Sequence, residues 1–190
     1  MGDKVVFLDR DGVINRDSPG YIKSVAEFVF LPRSLEAIRL LTTNGFSVIV
    51  ITNQSAIGRG MISPAVLEEI HQHLIDTVKE NGGRIRDIFF CPHTPEENCD
   101  CRKPKPGLIF QAGHTYGIAL SETVMVGDRV KDIQCGHAAG CGAAILVRTG
   151  NGDRAATALS EQHIPVNFLA EDLYDAVSWI LSSPFNGPTP

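Results

Sequence analysis

Two carboxylates stand two residues apart in Asp9-Arg10-Asp11-Gly12, directly after the short apolar run Val5 to Leu8. Side chains alternate along a strand, so Asp9 and Asp11 are expected to face the same side if that geometry persists. Carboxylates that close repel each other unless a cation lies between them or one is protonated. Mg²⁺, a hard cation that prefers oxygen ligands, suits such a pair. Alone, the pattern also describes a solvated turn. Three more polar clusters follow apolar runs. Thr52-Asn53-Gln54-Ser55 follows Phe46 to Ile51 and offers hydroxyl, amide and backbone donors to an anion. Arg102-Lys103-Pro104-Lys105-Pro106 places a lysine in a loop that proline stiffens, where its charge could offset that of a transferring phosphoryl group. Gly127-Asp128-Arg129-Val130-Lys131-Asp132 follows Val124 to Val126 and supplies Asp128 as a further metal-ligand candidate. Asp132 reads as a carboxylate near a helix N-terminus, where an anion is favoured in any protein.

A second cluster is of another kind. Cys91, His93, Cys99 and Cys101 lie within eleven residues, as Cys-x-His, five residues, then Cys-x-Cys. Three thiolates and an imidazole suit a closed tetrahedral Zn²⁺ site, which leaves no open position for chemistry and so implies a structural role. Such a site would pin a loop directly before Arg102 and Lys103. Five cysteines, an odd number grouped around one loop, argue against a disulfide framework. Cys135 and Cys141 lie among Ala and Gly and read as buried small hydrophobes. His71, His73, His114 and His137 have no companions at metal spacing and read as surface or helix-packing residues.

These clusters need a frame. Val5 to Leu8, Phe46 to Ile51, Ile88 to Phe90, Val124 to Val126, Ala144 to Val147 and Val166 to Leu169 read as strands. Between them, helices are expected around Leu35 to Leu41, from Ser63-Pro64 to Asn81, over Pro106 to Tyr116, over Lys131 to Ala139, and around Leu173 to Ile180. The alternation predicts an α/β fold, a Rossmann-like doubly wound parallel sheet with helices on both faces, and ligands beyond the carboxyl ends of its strands. One domain over residues 1–182 is expected, with a disordered tail over 183–190 and no cap domain.

Composition narrows the function. The 190 residues carry a formal charge of −5, 43% hydrophobic and 21% charged residues, without a long basic run. An extended nucleic-acid or membrane surface is therefore not expected. The first apolar run meets Asp9 at once, unlike a signal peptide, and no apolar stretch is long enough to span a bilayer. A soluble cytoplasmic protein, monomeric in the absence of any oligomerisation segment, is the expectation.

The order of the four clusters resembles the haloacid dehalogenase superfamily of phosphotransferases. That resemblance implies a Mg²⁺-dependent phosphatase with Asp9 as nucleophile and Asp11 as general acid, then base. It implies that Thr52 binds the phosphoryl group, with Asn53, Gln54 and Ser55 beside it, and that Lys103 offsets its charge. Mg²⁺ would be held by the Asp9 carboxylate, the Asp11 backbone carbonyl and Asp128. Two kinds of zinc-loop phosphatase in the superfamily share FLDRDGVIN, ITNQSAIGRG, CPH…CDCRKPKPG and MVGDRVKDIQ in outline: those acting on a heptose 1,7-bisphosphate and those acting on histidinol phosphate. Ser55 to Gly60 and Arg148-Thr149-Gly150 are more similar to the heptose kind, the short His93–Cys99 spacing to the histidinol kind. A bisphosphate sugar needs a cation away from the nucleophile, and Arg59 and Arg102 are the candidates, with Lys105 and Arg148 behind them. Histidinol phosphate would instead call on Glu96 and Glu97. Without a cap, substrate selection would fall to the loops around Tyr21, Arg59 and the zinc site. The rival outside enzymology is a zinc-stabilised binding module without catalysis.

Overall fold

The computed structural model describes residues 4–183; the tail expected from 183 onward lies, after Ser183, outside the described residues. Six parallel strands form one sheet in the order β3-β2-β1-β4-β5-β6. They are β1 (Val5–Leu8), β2 (Ser47–Asn53), β3 (Ile85–Cys91), β4 (Val124–Gly127), β5 (Ala143–Val147) and β6 (Phe168–Ala170). The helices are α1 (Ser34–Thr43), α2 (Pro64–Glu80), α3 (Gly107–Tyr116), α4 (Val130–Ala139), α5 (Gly152–Glu161) and α6 (Leu173–Ser182).

The strands read as continuous apolar runs because both faces of the sheet are covered. Alternate residues of one strand enter different cores. Val6 and Leu8 of β1 pack with Val48, Val50, Val124 and Val126, and with Ile38, Leu74 and Val177 from α1, α2 and α6. Val5 and Phe7 pack with Ile49, Ile51 and Met125, and with Ile109 and Cys135 from α3 and α4. The helix α5 rests on the same side through Ala155 and Leu159, against Ala144 and Leu146. This is the doubly wound arrangement expected from the alternation of elements.

Local chemistry sets the boundaries. Ser63 caps α2 by accepting from the Val66 N–H, with Pro64 at the first turn. Both α3 and α4 end on a left-handed glycine, Gly117 and Gly140. Four elements depart from expectation. The strand β2 runs on through Thr52 and Asn53, which pair with Phe90 and Cys91 of β3, and β6 spans Phe168–Ala170 rather than Val166 to Leu169. The strand β3 begins at Ile85 rather than Ile88, because its pairing with β2 shifts register between Val48 and Ile49 and takes in polar residues. The helix α5 is absent from the sequence reading: its buried stripe is only Gly152, Ala155 and Leu159, too short to register as a periodic pattern.

Among the described residues no cap domain interrupts the fold: the segment from β1 to α1 holds one short 3-10 turn, and that from β2 to β3 holds α2. No helix is long and apolar enough to cross a membrane.

Candidate active site

The strand β1 lies at the centre of the sheet, between β2 and β4. Its carboxyl end is pinned to β4 by the Asp9 N–H, which donates to the Val126 carbonyl at 3.0 Å. Asp9 and Asp11 both line a cavity of about 250 Å³ with Thr52, Asn53, Gln54, Ser55, Arg102, Arg129 and Lys131. The loop Asp17 to Ile22 closes the other wall.

The base of this site is almost dry. Asp9 is 5% exposed, Lys103 2%, and Asp128 and Asp132 0%. The Lys103 ammonium lies 2.9 Å from Asp9 Oδ1 and 2.7 Å from Asp132 Oδ1, and donates to the Ile51 carbonyl at 2.8 Å. Burial works against its charge, but Asp132 and Asp9 outweigh it and raise the Lys103 pKa above its ordinary value. One ammonium cannot neutralise three carboxylates. Burial pushes Asp9 up to about 6, with Lys103 opposing and Asp132 adding to the rise. Burial, then Asp9 and Asp132, push Asp128 up to about 7.

Carboxylate oxygens of Asp9, Asp128 and Asp132 all lie within 4.8 Å of one another. Asp128 Oδ2 accepts from the Asn151 N–H at 2.8 Å, whereas Asp128 Oδ1 is buried with no hydrogen-bond partner. An open anionic oxygen beside two further buried carboxylates fits a hard divalent cation, and Mg²⁺ in particular. Two glycines make this approach possible. A Cβ on Gly12 would come within 2.3 Å of Asp128 Oδ2, and one on Gly150 within 2.2 Å; both have positive φ.

The other quartet converges too. Cys91 Sγ is 3.5 Å from Cys99 Sγ and 3.5 Å from His93 Nδ1; Cys101 Sγ is 3.4 Å from Cys99 Sγ and 3.2 Å from His93 Nδ1. A tetrahedral Zn²⁺ with bonds of about 2.0–2.3 Å needs ligand separations of roughly 3.5–3.8 Å, so the four atoms fit that ion. The loop is joined to the cavity by Arg102, whose Nη1 donates to the His93 carbonyl at 3.0 Å.

A family model described as HAD-hydrolase-like matches residues 100–176. The chain is 47% identical over 154 residues to a D-glycero-β-D-manno-heptose-1,7-bisphosphate 7-phosphatase of Pseudomonas aeruginosa, covering 81% of this chain and 86% of that one. A D-glycero-D-manno-heptose-1,7-bisphosphate 7-phosphatase of Chlorobaculum tepidum is 36% identical, with coverage of 95% and 96%. The crystal structure of D,D-heptose 1,7-bisphosphate phosphatase from B. bronchiseptica, complexed with magnesium and phosphate, superposes with a TM-score of 0.88 at 39% identity over 94% of this chain and 98% of that one. The chain belongs to the haloacid-dehalogenase-like phosphatases. It is a phosphoric monoester hydrolase.

Within this phosphatase the expected site residues fall into three groups. Asp9, Asp11, Thr52, Ser55 and Arg102 line the cavity. Asn53 and Gln54 also line it, yet their side chains are spoken for. Asn53 Nδ2 donates to the Lys103 carbonyl at 3.2 Å, and the Lys103 N–H donates to Asn53 Oδ1 at 3.1 Å. Gln54 Nε2 donates to Asp11 Oδ2 and to Thr52 Oγ1, each at 2.9 Å. Arg148 turns away, paired with Asp153 at 2.7 Å and Glu171 at 3.1 Å. Lys105 donates to the Asn98 carbonyl at 3.1 Å and to Asp100 Oδ1 at 3.2 Å, within the Cys/His loop. Arg59 is exposed and lies near enough to Tyr21 to act, after a hydrogen bond from Ser55, in lowering the Tyr21 pKa.

Four residues of the site went unassigned by sequence reasoning. Asp132 does hydrogen-bond the start of α4, accepting from the Arg129 N–H at 2.9 Å, but its other oxygen grips Lys103. Lys131 and Arg129 enter the cavity from the same turn, and Arg129 pairs with Asp17 across it. Arg10, set between the two motif aspartates, is wholly buried. The signal for Asp132, Lys131 and Arg129 was their position after a strand end, which a helix-terminus reading absorbed. His71, read as a packing or surface residue, is buried against Arg10.

Proposed function

We propose that this phosphatase hydrolyses the 7-phosphate of D-glycero-D-manno-heptose 1,7-bisphosphate through an aspartyl-phosphate on Asp9. The observation that carries the mechanism is the Asp9 carboxylate, held in a dry site by Lys103 at 2.9 Å and facing one cavity together with Asp11. The 7-phosphate would lie at Asp9, with the Thr52 hydroxyl and the Lys103 ammonium on its oxygens. Asp9 attacks phosphorus, the bond from phosphorus to the sugar oxygen breaks, and Asp11 gives that oxygen its proton. Water then attacks the same phosphorus and gives a proton to Asp11, the bond from phosphorus to the Asp9 oxygen breaks, and inorganic phosphate leaves with Asp9 restored. Asp9, Asp128 and the Asp11 carbonyl would hold Mg²⁺, with Asp132 beside them, and the ion would neutralise charge on the transferring group. Zn²⁺ on Cys91, His93, Cys99 and Cys101 supplies loop order only.

Substrate choice rests on the relatives and on the cations at the rim. Arg102 lines the cavity and donates to the His93 carbonyl, and Arg59, like Arg102, lies near enough to Tyr21 and Glu96 to act on both, so a second phosphate distant from Asp9 has guanidinium groups to meet. Histidinol phosphate is served less well. Glu97 accepts from the Thr94 N–H at 2.6 Å and is taken up within its own loop, and Glu96 sits in the field of Arg59 and Arg102. In this reading the protein is a monomer acting on a small phosphorylated sugar in the cytoplasm. The deciding experiment measures phosphate release with Mg²⁺ from heptose 1,7-bisphosphate and from histidinol phosphate, for wild type and Asp9→Asn. Faster turnover of the bisphosphate with a dead Asp9→Asn supports the reading. Preference for histidinol phosphate overturns the substrate, and an active Asp9→Asn overturns the nucleophile.

A further inference from the structure

Arg10 is the largest side chain among the fully buried residues, and nothing in the phosphoryl-transfer scheme uses it. Its guanidinium lies beneath the cavity. Nη2 shares its two hydrogens among both Asp11 oxygens and Gln54 Oε1, each at 3.0 Å, while Nε reaches Asp11 Oδ1 at 3.3 Å. Its Nη1 lies 3.2 Å from His71 Nε2. A guanidinium has no acceptor, so His71 must be neutral there and accept through Nε2. His71 is itself buried, on α2, with its ring edge-on to Phe90 at 5.6 Å, and it does not line the cavity. The face of the guanidinium is closed by Phe28, 5.7 Å from its ring centre.

The consequence is orientational. A carboxylate at a strand end can rotate about two side-chain bonds. Asp11 is gripped on both oxygens by one planar fork, on Oδ1 also by Asn15 at 2.8 Å, and on Oδ2 also by Gln54. Burial raises its pKa, but Arg10, then Asn15 and Gln54, outweigh it and hold the carboxyl below its ordinary range, so these donors fix the orientation of an anion that must take up a proton before it delivers one. The fork cannot turn, because His71 holds its far nitrogen and Gln54 its near one. The plane of Asp11 is thus set from α2, through two side chains that touch no substrate. Burying an arginine costs several kcal/mol unless its donors are matched. Here Asp11, Gln54 and His71 accept from it.

We infer that His71 and Arg10 form a positioning relay that aims the Asp11 carboxylate at the oxygen of the departing alcohol. The inference rests on the general-acid reading of Asp11 given above and adds two residues that govern it from outside the cavity.

A general acid matters in proportion to the basicity of the leaving group. An alkoxide needs its proton, whereas p-nitrophenolate leaves without one. The parameter kcat/KM covers the steps up to alcohol departure, so the later role of Asp11 as base does not enter it. The test measures kcat/KM for p-nitrophenyl phosphate and for whichever of the two alkyl phosphates above wild type prefers. Asp11→Asn, Arg10→Met, His71→Phe and His71→Gln are compared, each checked for folding by circular dichroism. On the alkyl phosphate, Arg10→Met should lose about 100-fold and His71→Phe about tenfold, with p-nitrophenyl phosphate changed by less than about threefold. His71→Gln, which restores an acceptor for Arg10, should return the alkyl rate to within about threefold of wild type. Equal losses on both substrates, unchanged or faster alkyl cleavage, or no rescue by Gln would overturn the relay. Should Arg10→Met fail to fold, the contrast between His71→Phe and His71→Gln decides. A leaving-group effect in Asp11→Asn but in neither Arg10 nor His71 variant removes the relay alone; its absence in Asp11→Asn removes the general acid and the relay with it.

Discussion

Lys103 is closer to Asp132 than to Asp9: its ammonium lies 2.7 Å from the first and 2.9 Å from the second. The lysine is thus shared between the proposed nucleophile and a carboxylate from the first turn of α4. Without the second partner it would collapse onto the first and mask it. Asp132→Asn keeps the shape and the contact with the Arg129 N–H but drops the charge. The expected outcome is a fall in kcat/KM of about 100-fold, with melting temperature little changed. Steady-state kinetics and thermal unfolding check this, and activity near that of wild type would show that Asp132 only caps the helix.

Zinc chelation should act at a distance. Cys101 is two residues from Lys103, Arg102 is tied to the His93 carbonyl, and Asn53 clamps the Lys103 backbone from β2. Removing the ion, or substituting Cys99→Ser, should lower the melting temperature and reduce kcat without abolishing it, because Asn53 still holds Lys103. Asn53→Ala alone should cost less than about tenfold. The two lesions together should exceed the product of the separate effects, since they release the same backbone.

Gly150→Ala tests the packing around Asp128. The added methyl would overlap Asp128 Oδ2 and the Gly12 Cα, at a residue with φ of 62°. The strain has no flexible neighbour to absorb it. Expected are a loss of stability of about 2 kcal/mol or more and weaker Mg²⁺ binding. Denaturant unfolding and metal titration by calorimetry would read both, and an unchanged Mg²⁺ affinity would separate the turn from the metal site.

Acid stability should report on His71. Burial, then Arg10, lower its pKa from the ordinary 6.5 to about 3, with Asp11 opposing; Phe90 packs against the ring. Between those values the unfolded chain binds a proton that the folded chain refuses. Folding stability contributed here is therefore complete above about pH 6.5 and is lost as pH falls toward 3. His71→Gln cannot titrate, so its stability should fall less steeply than that of wild type between pH 6.5 and 4. Parallel curves from urea unfolding at several pH values would refute the assignment.

What the sequence made legible was whatever a local pattern expresses. The runs that became β1, β2, β4 and β5 were visible because burial on both faces leaves few polar residues in them, and the Cys/His quartet was visible because its members are rare residue types at close spacing. Arg10 was invisible as a functional group, since between two aspartates it reads as a spacer, and its partners His71 and Gln54 lie 61 and 44 residues away. Asp132 carried two roles at once, and the commoner one sufficed to explain it. Arg148 shows the converse: its place after β5 suggested a phosphate ligand, but Asp153 and Glu171 were near enough in space to claim it.

The central place of β1 carries one further consequence. Its two neighbours, β2 on one side and β4 on the other, have about 70 residues between them in sequence. Asp9 and Thr52 can meet early, once β2 has docked, but Asp128 and Asp132 arrive only when β4 and α4 close the long loop. A chain in which β4 has not yet docked therefore has Asp9 in place without Asp128 and Asp132 beside it. Regain of activity should lag behind regain of secondary structure, and turnover becomes a reporter of the last docking event rather than of folding at large.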